Sequence, residues 1–418
     1  MELIFTLTSV MSLAFILLVL CRLCARSPLG PLSLPGVLLI TTFGYFYLIP
    51  TVLYEREETT FFGWNLSSLE LIHLAATLYV AGAAAALYSF PTVWRANPAI
   101  RKLHEPNMVS RNFWVLLSLA VLGVAVQVIS GRLNLLYDIE RVYFEDTSFA
   151  FLNLAFTLLI TLTIVTLVRY DFNGRSILML CAVFFVFLTV GLRFRMVILT
   201  FGAFSAFLLV RRRRIGWITV SLGIPVGLAV LNAIGLSRSY FSGLEISTLE
   251  GLSFVDLIVL FSGEAGPVFT LDQILNGHTT NFIFFDPWWI AITRLVPSFL
   301  WADKPYPEYL RIYASGYPDT RAEFAGISAP QHAEIFLQFG WPGLVVLSFV
   351  YFWIAGYTLR RLRRLGFEGR IAGYAVAPTF FGFYMVQRGY FSQLLVEYLF
   401  TFFPLFILYK IPRSKALQ

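Results

Sequence analysis

Residues 176–214 read SILMLCAVFFVFLTVGLRFRMVILTFGAFSAFLLVRRRR. Two apolar runs, Ser176 to Leu192 and Met196 to Val210, are separated only by an Arg-Phe-Arg turn that contains Arg193 and Arg195. Each run is about long enough for a helix to cross most of a ~30 Å hydrocarbon layer. The pattern therefore predicts two membrane-spanning helices that are joined by a very tight turn with two cations.

Apolar runs of this kind recur along the whole chain. Of its 418 residues, 58% are hydrophobic and 13% are charged, and the mean hydropathy of +0.74 lies well outside the range of soluble globular domains. Runs of roughly 16 to 22 residues fit helices rather than a barrel. We predict an all-α, polytopic membrane protein with about eleven spans: Leu3 to Leu20, Gly36 to Leu53, Leu69 to Phe90, Phe113 to Ser130, Phe149 to Val168, Ser176 to Leu192, Met196 to Val210, Ile215 to Ile234, Trp341 to Leu359, Ile371 to Val386 and Leu394 to Tyr409.

The distribution of Lys and Arg predicts the orientation of these spans. Basic residues close to a span resist translocation, and with the N-terminus outside, the inner loops hold 20 of the 31 basic residues. Because these residues flank apolar runs, membrane orientation explains the net charge of +7, and we predict no nucleic-acid binding. The chain then divides into a transmembrane bundle of about eight spans (residues 1–234), one large extracytoplasmic loop (235–340) and a bundle of about three spans (341–418).

The large loop is partly apolar. Leu252 to Phe261 and Trp288 to Trp301 are apolar stretches, and tryptophans of this kind settle at lipid headgroup depth. We therefore expect interfacial or half-embedded helices in the loop. Its length makes it the segment where function is expected.

Cations at the outer membrane boundary are the first candidate site residues. Arg193 and Arg195 oppose the usual orientation signal, and a guanidinium binds phosphate oxygens bidentately. A lipid-linked phosphate or diphosphate would lie at this depth. The alternative is a pair held by lipid headgroups or by an acid such as Glu397. Arg238 and Arg388, at the outer ends of other spans, could complete the same basic pocket.

The loop ends in the sequence PQHAEIFLQFGWP, residues 330–342, which runs directly into a predicted span. His332 and Glu334 lie two positions apart, a spacing that does not put them on one helix face. Either could take a proton from an attacking hydroxyl. The alternative is an interfacial His and Glu that are satisfied by water.

Other loop residues are candidates for binding a sugar. Residues 286–305 combine aromatic side chains with Arg294 and Lys304, and Arg321 lies further along the loop. Interfacial anchoring explains the tryptophans equally well. We find no convincing metal-ligand spacing, phosphate-binding glycine loop or Gly-x-Ser-x-Gly motif, so we expect no metal and no cofactor.

The layout resembles the Wzy-type polymerases of O-antigen and other oligosaccharide repeat units in bacterial envelopes. The resemblance rests on the number of spans, the Arg193 and Arg195 hairpin, the segment TRLVPSFLWADKP (293–305) and the segment HAEIFLQFG (332–340), and it is clearest from Gly191 to Leu359. It implies a GT-C-like, metal-independent glycosyltransferase of the inner membrane, whose site faces the periplasm.

The resemblance also implies substrates, partners and roles. Undecaprenyl-diphosphate-linked oligosaccharides would be donor and acceptor, and a flippase and a chain-length regulator would be partners. Arg193, Arg195 and Arg238 would neutralise the departing diphosphate. His332 or Glu334 would be the base. The alternatives are an O-antigen ligase, a flippase or exporter of lipid-linked glycan, and a structural membrane scaffold.

Overall fold

The computed structural model of the protein describes residues 2–55, 60–61, 64–90, 110–129, 154–190, 193–220, 223, 262–276, 282–296, 300–301, 305, 330–388 and 391–409. The described chain is helical apart from a two-stranded hairpin, in which Thr60–Phe61 pairs antiparallel with Trp64–Asn65. The all-α prediction is therefore confirmed.

The helices before the large loop are α1 (Glu2–Arg26), α2 (Leu34–Glu55), α3 (Leu69–Tyr88), α4 (Ser110–Ile129), α5 (Leu154–Arg169), α6 (Gly174–Val190) and α7 (Arg193–Arg211). A π-helical turn, Gly44–Leu48, interrupts α2. Those that follow are α8 (Ser262–Leu275), α9 (Asp286–Arg294), α10 (Gln331–Leu362), α11 (Phe367–Thr379), a π-helical turn (Phe380–Tyr384), α12 (Met385–Arg388) and α13 (Phe391–Leu408). Ten of the eleven predicted spans coincide with helices, and most of Ile215 to Ile234 lies outside the described residues.

Four helices in the described ranges are long and apolar enough to cross a membrane: Leu34–Glu55, Leu69–Tyr88, Phe194–Arg211 and Gln331–Leu362. Asn112–Val126, Leu154–Arg169, Gly174–Leu188 and Gln393–Leu408 are shorter apolar helices. These helices fit a membrane protein, whereas the count of eleven spans stays a prediction.

Helices α3 and α10 make the most extensive contact between any two helices in the described part of the chain. The buried face of α3 includes several small residues, among them Ala75, Ala83 and Ala86. A Cβ at Gly82 would lie 2.1 Å from Ser348 Oγ and 2.2 Å from the carbonyl oxygen of Val345. Because small residues let two helix backbones approach, α10 can lie directly on α3.

The start of α10 differs from the predicted boundary at residue 340. The helix begins at Gln331, after the extended residue Pro330, and a kink at Phe339 and Gly340 divides it. Gly340 has φ +64° and ψ −154°, a conformation that is nearly restricted to glycine. Pro342 follows, and its missing N–H weakens the same turn. The kink allows the end of the predicted loop to be helical and to pack in the bundle.

Candidate functional site

The first turns of α13 gather polar side chains from three distant parts of the sequence. The backbone N–H of Phe391 donates to Glu334 Oε2 at 2.9 Å, and Gln338 Nε2 donates to Glu334 Oε1 at 3.2 Å. Trp288 Nε1 donates to Gln338 Oε1 at 3.1 Å. Glu334, which is only 1% exposed, is therefore bonded directly to α13 and is connected to Trp288 of α9 through Gln338.

An ion pair lies further along the same helix. Arg195 Nη2 donates to Glu397 Oε1 at 3.0 Å, and the two side chains are 17% and 9% exposed. Thr157 Oγ1 donates to the other oxygen of Glu397 and lies 3.4 Å from Arg195 Nε. The acid named as the alternative partner of the arginine hairpin is thus its partner in the structure.

The carboxylate of Glu334 and the guanidinium of Arg195 are anchored to one rigid element. Phe391 and Glu397 are six residues apart on α13, which corresponds to about 9 Å along the helix axis. We refer to Glu334, Gln338, Trp288, Arg195 and Glu397 as the candidate site. It holds an arginine and a carboxylate at one end of the helical bundle.

Aromatic rings surround the candidate site. Trp288 packs on Phe391 with a centroid distance of 4.3 Å and stacks on Tyr351 at 6.0 Å. Phe194, which lies between the two arginines of the hairpin, contacts Phe383 and Tyr384 of the second π-helical turn at 5.3 and 4.5 Å. Such turns often occur at functional sites. The start of α7 is therefore fixed by the packing of Phe194 as well as by the ion pair of Arg195.

His332 faces away from the candidate site. Its ring packs edge-on against Phe46 at 4.1 Å and lies 5.3 Å from Tyr79. It is 1% exposed, and neither ring nitrogen has a hydrogen-bond partner among the described residues. The alternative of an interfacial His and Glu that are satisfied by water is not what the structure has, since both residues are buried. Residue 332 points to α2 and α3, while residue 334 points to α13. Glu334 does not orient the imidazole.

The short helix α9 has an apolar exposed face. Phe285, Trp289 and Ile292 are exposed at helical spacing, with Trp289 at 56%, whereas Ile290 and Ala291 are buried against the bundle. An apolar stripe of this kind suits the headgroup region of a bilayer. The geometry is compatible with the interfacial helix that we predicted in the large loop.

For three of the predicted site residues, the structure describes the backbone but not the side chain. Arg193 begins α7, Arg294 ends α9 and Arg388 ends α12, but their side chains lie outside the description. Arg238, Lys304 and Arg321 lie outside the described residues altogether. The structure thus brings together Arg195 and Glu334 around α13, and the proposed binding roles of the other six arginines and lysines stay predictions.

The sequence did not indicate the role of Asp272, a fully buried acid of α8. Its carboxylate accepts hydrogen bonds from Ser67 N and Ser67 Oγ, both at 2.8 Å, and from Ser68 N at 3.0 Å. Asn276 Nδ2 donates to the same carboxylate at 2.9 Å. Asp272 therefore supplies acceptors to the chain just before α3 begins, and ties the large loop to the N-terminal bundle.

Within the described ranges, no group of three or more His, Cys, Asp or Glu side chains could hold a metal ion. The comparisons with known proteins give no relative: no protein-family model, curated protein or solved structure matches this chain. The candidate site is accordingly interpreted from its own chemistry.

Proposed function

We propose that the protein is a membrane glycosyltransferase that polymerises oligosaccharide repeat units carried on undecaprenyl diphosphate. In this proposal the chain has about eleven spans in a GT-C-like arrangement, lies in the bacterial inner membrane and works at the periplasmic face. The product is O-antigen or a related surface polysaccharide. A flippase that supplies the repeat units and a regulator of chain length are the expected partners.

One observation carries the proposal. Glu334 is buried and Arg195 is partly buried, and both are held to the first two turns of α13. A transfer from a lipid diphosphate needs a proton acceptor for the incoming hydroxyl and a cation for the leaving diphosphate. The candidate site offers one of each at fixed separation, on the bundle end where the exposed Trp289 would meet lipid headgroups.

The proposed reaction is a displacement at the anomeric carbon of the growing chain. A sugar hydroxyl of the incoming repeat unit attacks this carbon, and its proton passes to the carboxylate of Glu334. The bond between the anomeric carbon and the diphosphate oxygen breaks, and the leaving group keeps the electron pair. Arg195 stabilises the negative charge that develops on the diphosphate.

The ion pair with Glu397 is compatible with this role of Arg195. A guanidinium has five N–H donors in a planar fork. In the described structure, donors on Nη2 and Nε point towards Glu397 and Thr157. Phosphate oxygens would bind on the remaining edge, and the two protein contacts would keep that edge oriented. The proposal assigns the base to Glu334 because His332 packs against aromatic rings of α2 and α3.

A purified, reconstituted protein with lipid-linked repeat units tests the proposal. We expect a ladder of elongated glycans on a gel without nucleotide or added divalent metal. Glu334→Gln, which keeps the size of the side chain, is expected to lower the initial rate by about 100-fold or more. Glu368→Gln is the matched control, because Glu368 also lies in the first turn of a helix and accepts a hydrogen bond, from Tyr409 Oη at 2.7 Å.

Three results of these experiments would contradict the proposal. If no ladder forms while labelled lipid-linked glycan crosses the vesicle bilayer, the protein is a transporter. If transfer occurs only once, to a lipid A core acceptor, the protein is a ligase. Equal elongation rates of Glu334→Gln and Glu368→Gln would remove Glu334 from the mechanism.

A further inference from the structure

A second cluster of arginines lies at the opposite end of α7. Arg26, at the end of α1, and Arg212, Arg213 and Arg214, just after α7, line a groove of about 80 Å³ together with Leu208 and Leu209. The ionisable residues that line this groove in the described part of the chain are all arginines. Asp171 lies beside them and pairs with Arg211 at 3.7 Å. The groove is therefore strongly positive and has an apolar wall.

The backbone at the end of α7 brings these arginines together. Arg213 N donates to Leu208 O at 2.9 Å, and Arg212 has φ +53°. This is the left-handed helix ending at which glycine is normally preferred. Glycine would suit this backbone conformation better than arginine does. What arginine adds at this position is its charge and its reach into the groove.

The groove and Arg195 lie at opposite ends of α7, so in a membrane they would lie near opposite surfaces. Phe194–Arg211 is one of the helices that could cross a membrane, and from Arg195 to Arg211 it rises by about 24 Å. With Arg195 at one headgroup layer, the arginines after α7 lie near the opposite one. Leu208 and Leu209, in the last turns of α7, would then adjoin the acyl chains.

We propose that this groove binds the phosphodiester of an anionic phospholipid. Guanidinium groups bind phosphate oxygens bidentately, and basic pockets between membrane helices suit anionic headgroups. The leucine wall favours a phosphate with attached acyl chains over free phosphate. This site is independent of the proposed enzyme activity, since it lies on the other side of the bilayer and uses different residues.

Native mass spectrometry of the purified full chain tests the proposal. We expect the protein to retain phosphatidylglycerol in preference to phosphatidylcholine, and Arg213→Gln/Arg214→Gln to weaken that retention about 30-fold, from roughly fivefold per arginine at an anionic surface. Arg360→Gln/Arg361→Gln is the matched control, because these arginines also end a long apolar helix. Equal retention by the two variants would overturn the proposal.

Arg212→Gly provides a test that does not depend on a weakened fold. Glycine suits the positive φ, so the variant should unfold at the same or a higher temperature in detergent without lipid. The rise in unfolding temperature caused by phosphatidylglycerol should nevertheless shrink by about half or more. An unchanged rise would contradict a lipid role for Arg212. Retention of inorganic phosphate alone at the same concentration would show that the groove is not selective for lipid.

Discussion

The guanidinium of Arg195 and the carboxylate of Glu397 meet at 3.0 Å, 202 residues apart in the sequence. Removing one member of a largely buried ion pair leaves the other charge uncompensated. We expect Arg195→Gln and Glu397→Gln each to lower the free energy of unfolding by about 3 kcal/mol. The double variant should lose less than the sum, and thermal unfolding in detergent measures all three.

The same three variants separate the structural from the catalytic role of Arg195. If the guanidinium also stabilises the diphosphate, the double variant loses glycan elongation even though its stability exceeds what the two single losses add up to. Elongation at the wild-type rate by the double variant would mean that Arg195 acts only through the fold.

Substitution of His332 is expected to raise the stability of the protein, not to lower it. It is buried among aromatic rings, and its ring nitrogens lack partners among the described residues. Burial of an unsatisfied polar group is unfavourable, so His332→Leu should raise the free energy of unfolding by about 1 kcal/mol. Elongation should stay within about threefold of the wild type, because catalytic proton transfer contributes far more. Loss of elongation in a well-folded His332→Leu protein would make the imidazole a functional group.

Substitution of Gly82 tests the contact between α3 and α10. A Cβ at this position would lie 2.2 Å from the backbone oxygen of Val345, which cannot move without displacing the helix. Gly82→Ala should therefore lower the free energy of unfolding by about 1–3 kcal/mol. Gly174→Ala, at the start of α6, is the control, because nothing lies within 4 Å of its added Cβ. Thermal unfolding should show a lower stability for Gly82→Ala than for Gly174→Ala. Similar stabilities would mean that α3 and α10 do not pack this closely.

Asp272 tests the link between the large loop and the N-terminal bundle. Asp272→Ala removes the acceptors of Ser67 N and Ser68 N, and the loss of such a capping interaction lowers stability by about 1–2 kcal/mol. Limited proteolysis should cut the segment before α3 faster in this variant. Asp286→Ala, an exposed acid at the start of α9, is expected to leave that rate unchanged.

Most of the helices could be predicted from the sequence, because each apolar run has about the length that a membrane-spanning helix needs. It also identified the Arg193 and Arg195 hairpin and the Pro330 to Pro342 segment, since cations and a histidine are conspicuous beside apolar runs. The helical start of α10 was not predicted. The proline at 330 and the glycine at 340 are residues typical of loops, so the large loop was extended to residue 340.

Tertiary partners were harder to predict than local structure. The spacing of His332 and Glu334 predicted that they would not share a helix face, but it did not show that one contacts α13 while the other packs against α2 and α3. Gln338 carries no separate signal, because an amide in an apolar segment is common, and Trp288 indicated only an interfacial position. Only the folded chain shows that they connect Glu334 to α9.

The anchoring of two polar groups on α13 also limits how the chain can change in length. Each residue of an α-helix turns the side chain by about 100°, so one residue inserted between Phe391 and Glu397 would rotate Glu397 away from Arg195. Substitutions within this interval would leave the angular relationship intact. Insertions and deletions there should therefore be far less tolerated than substitutions.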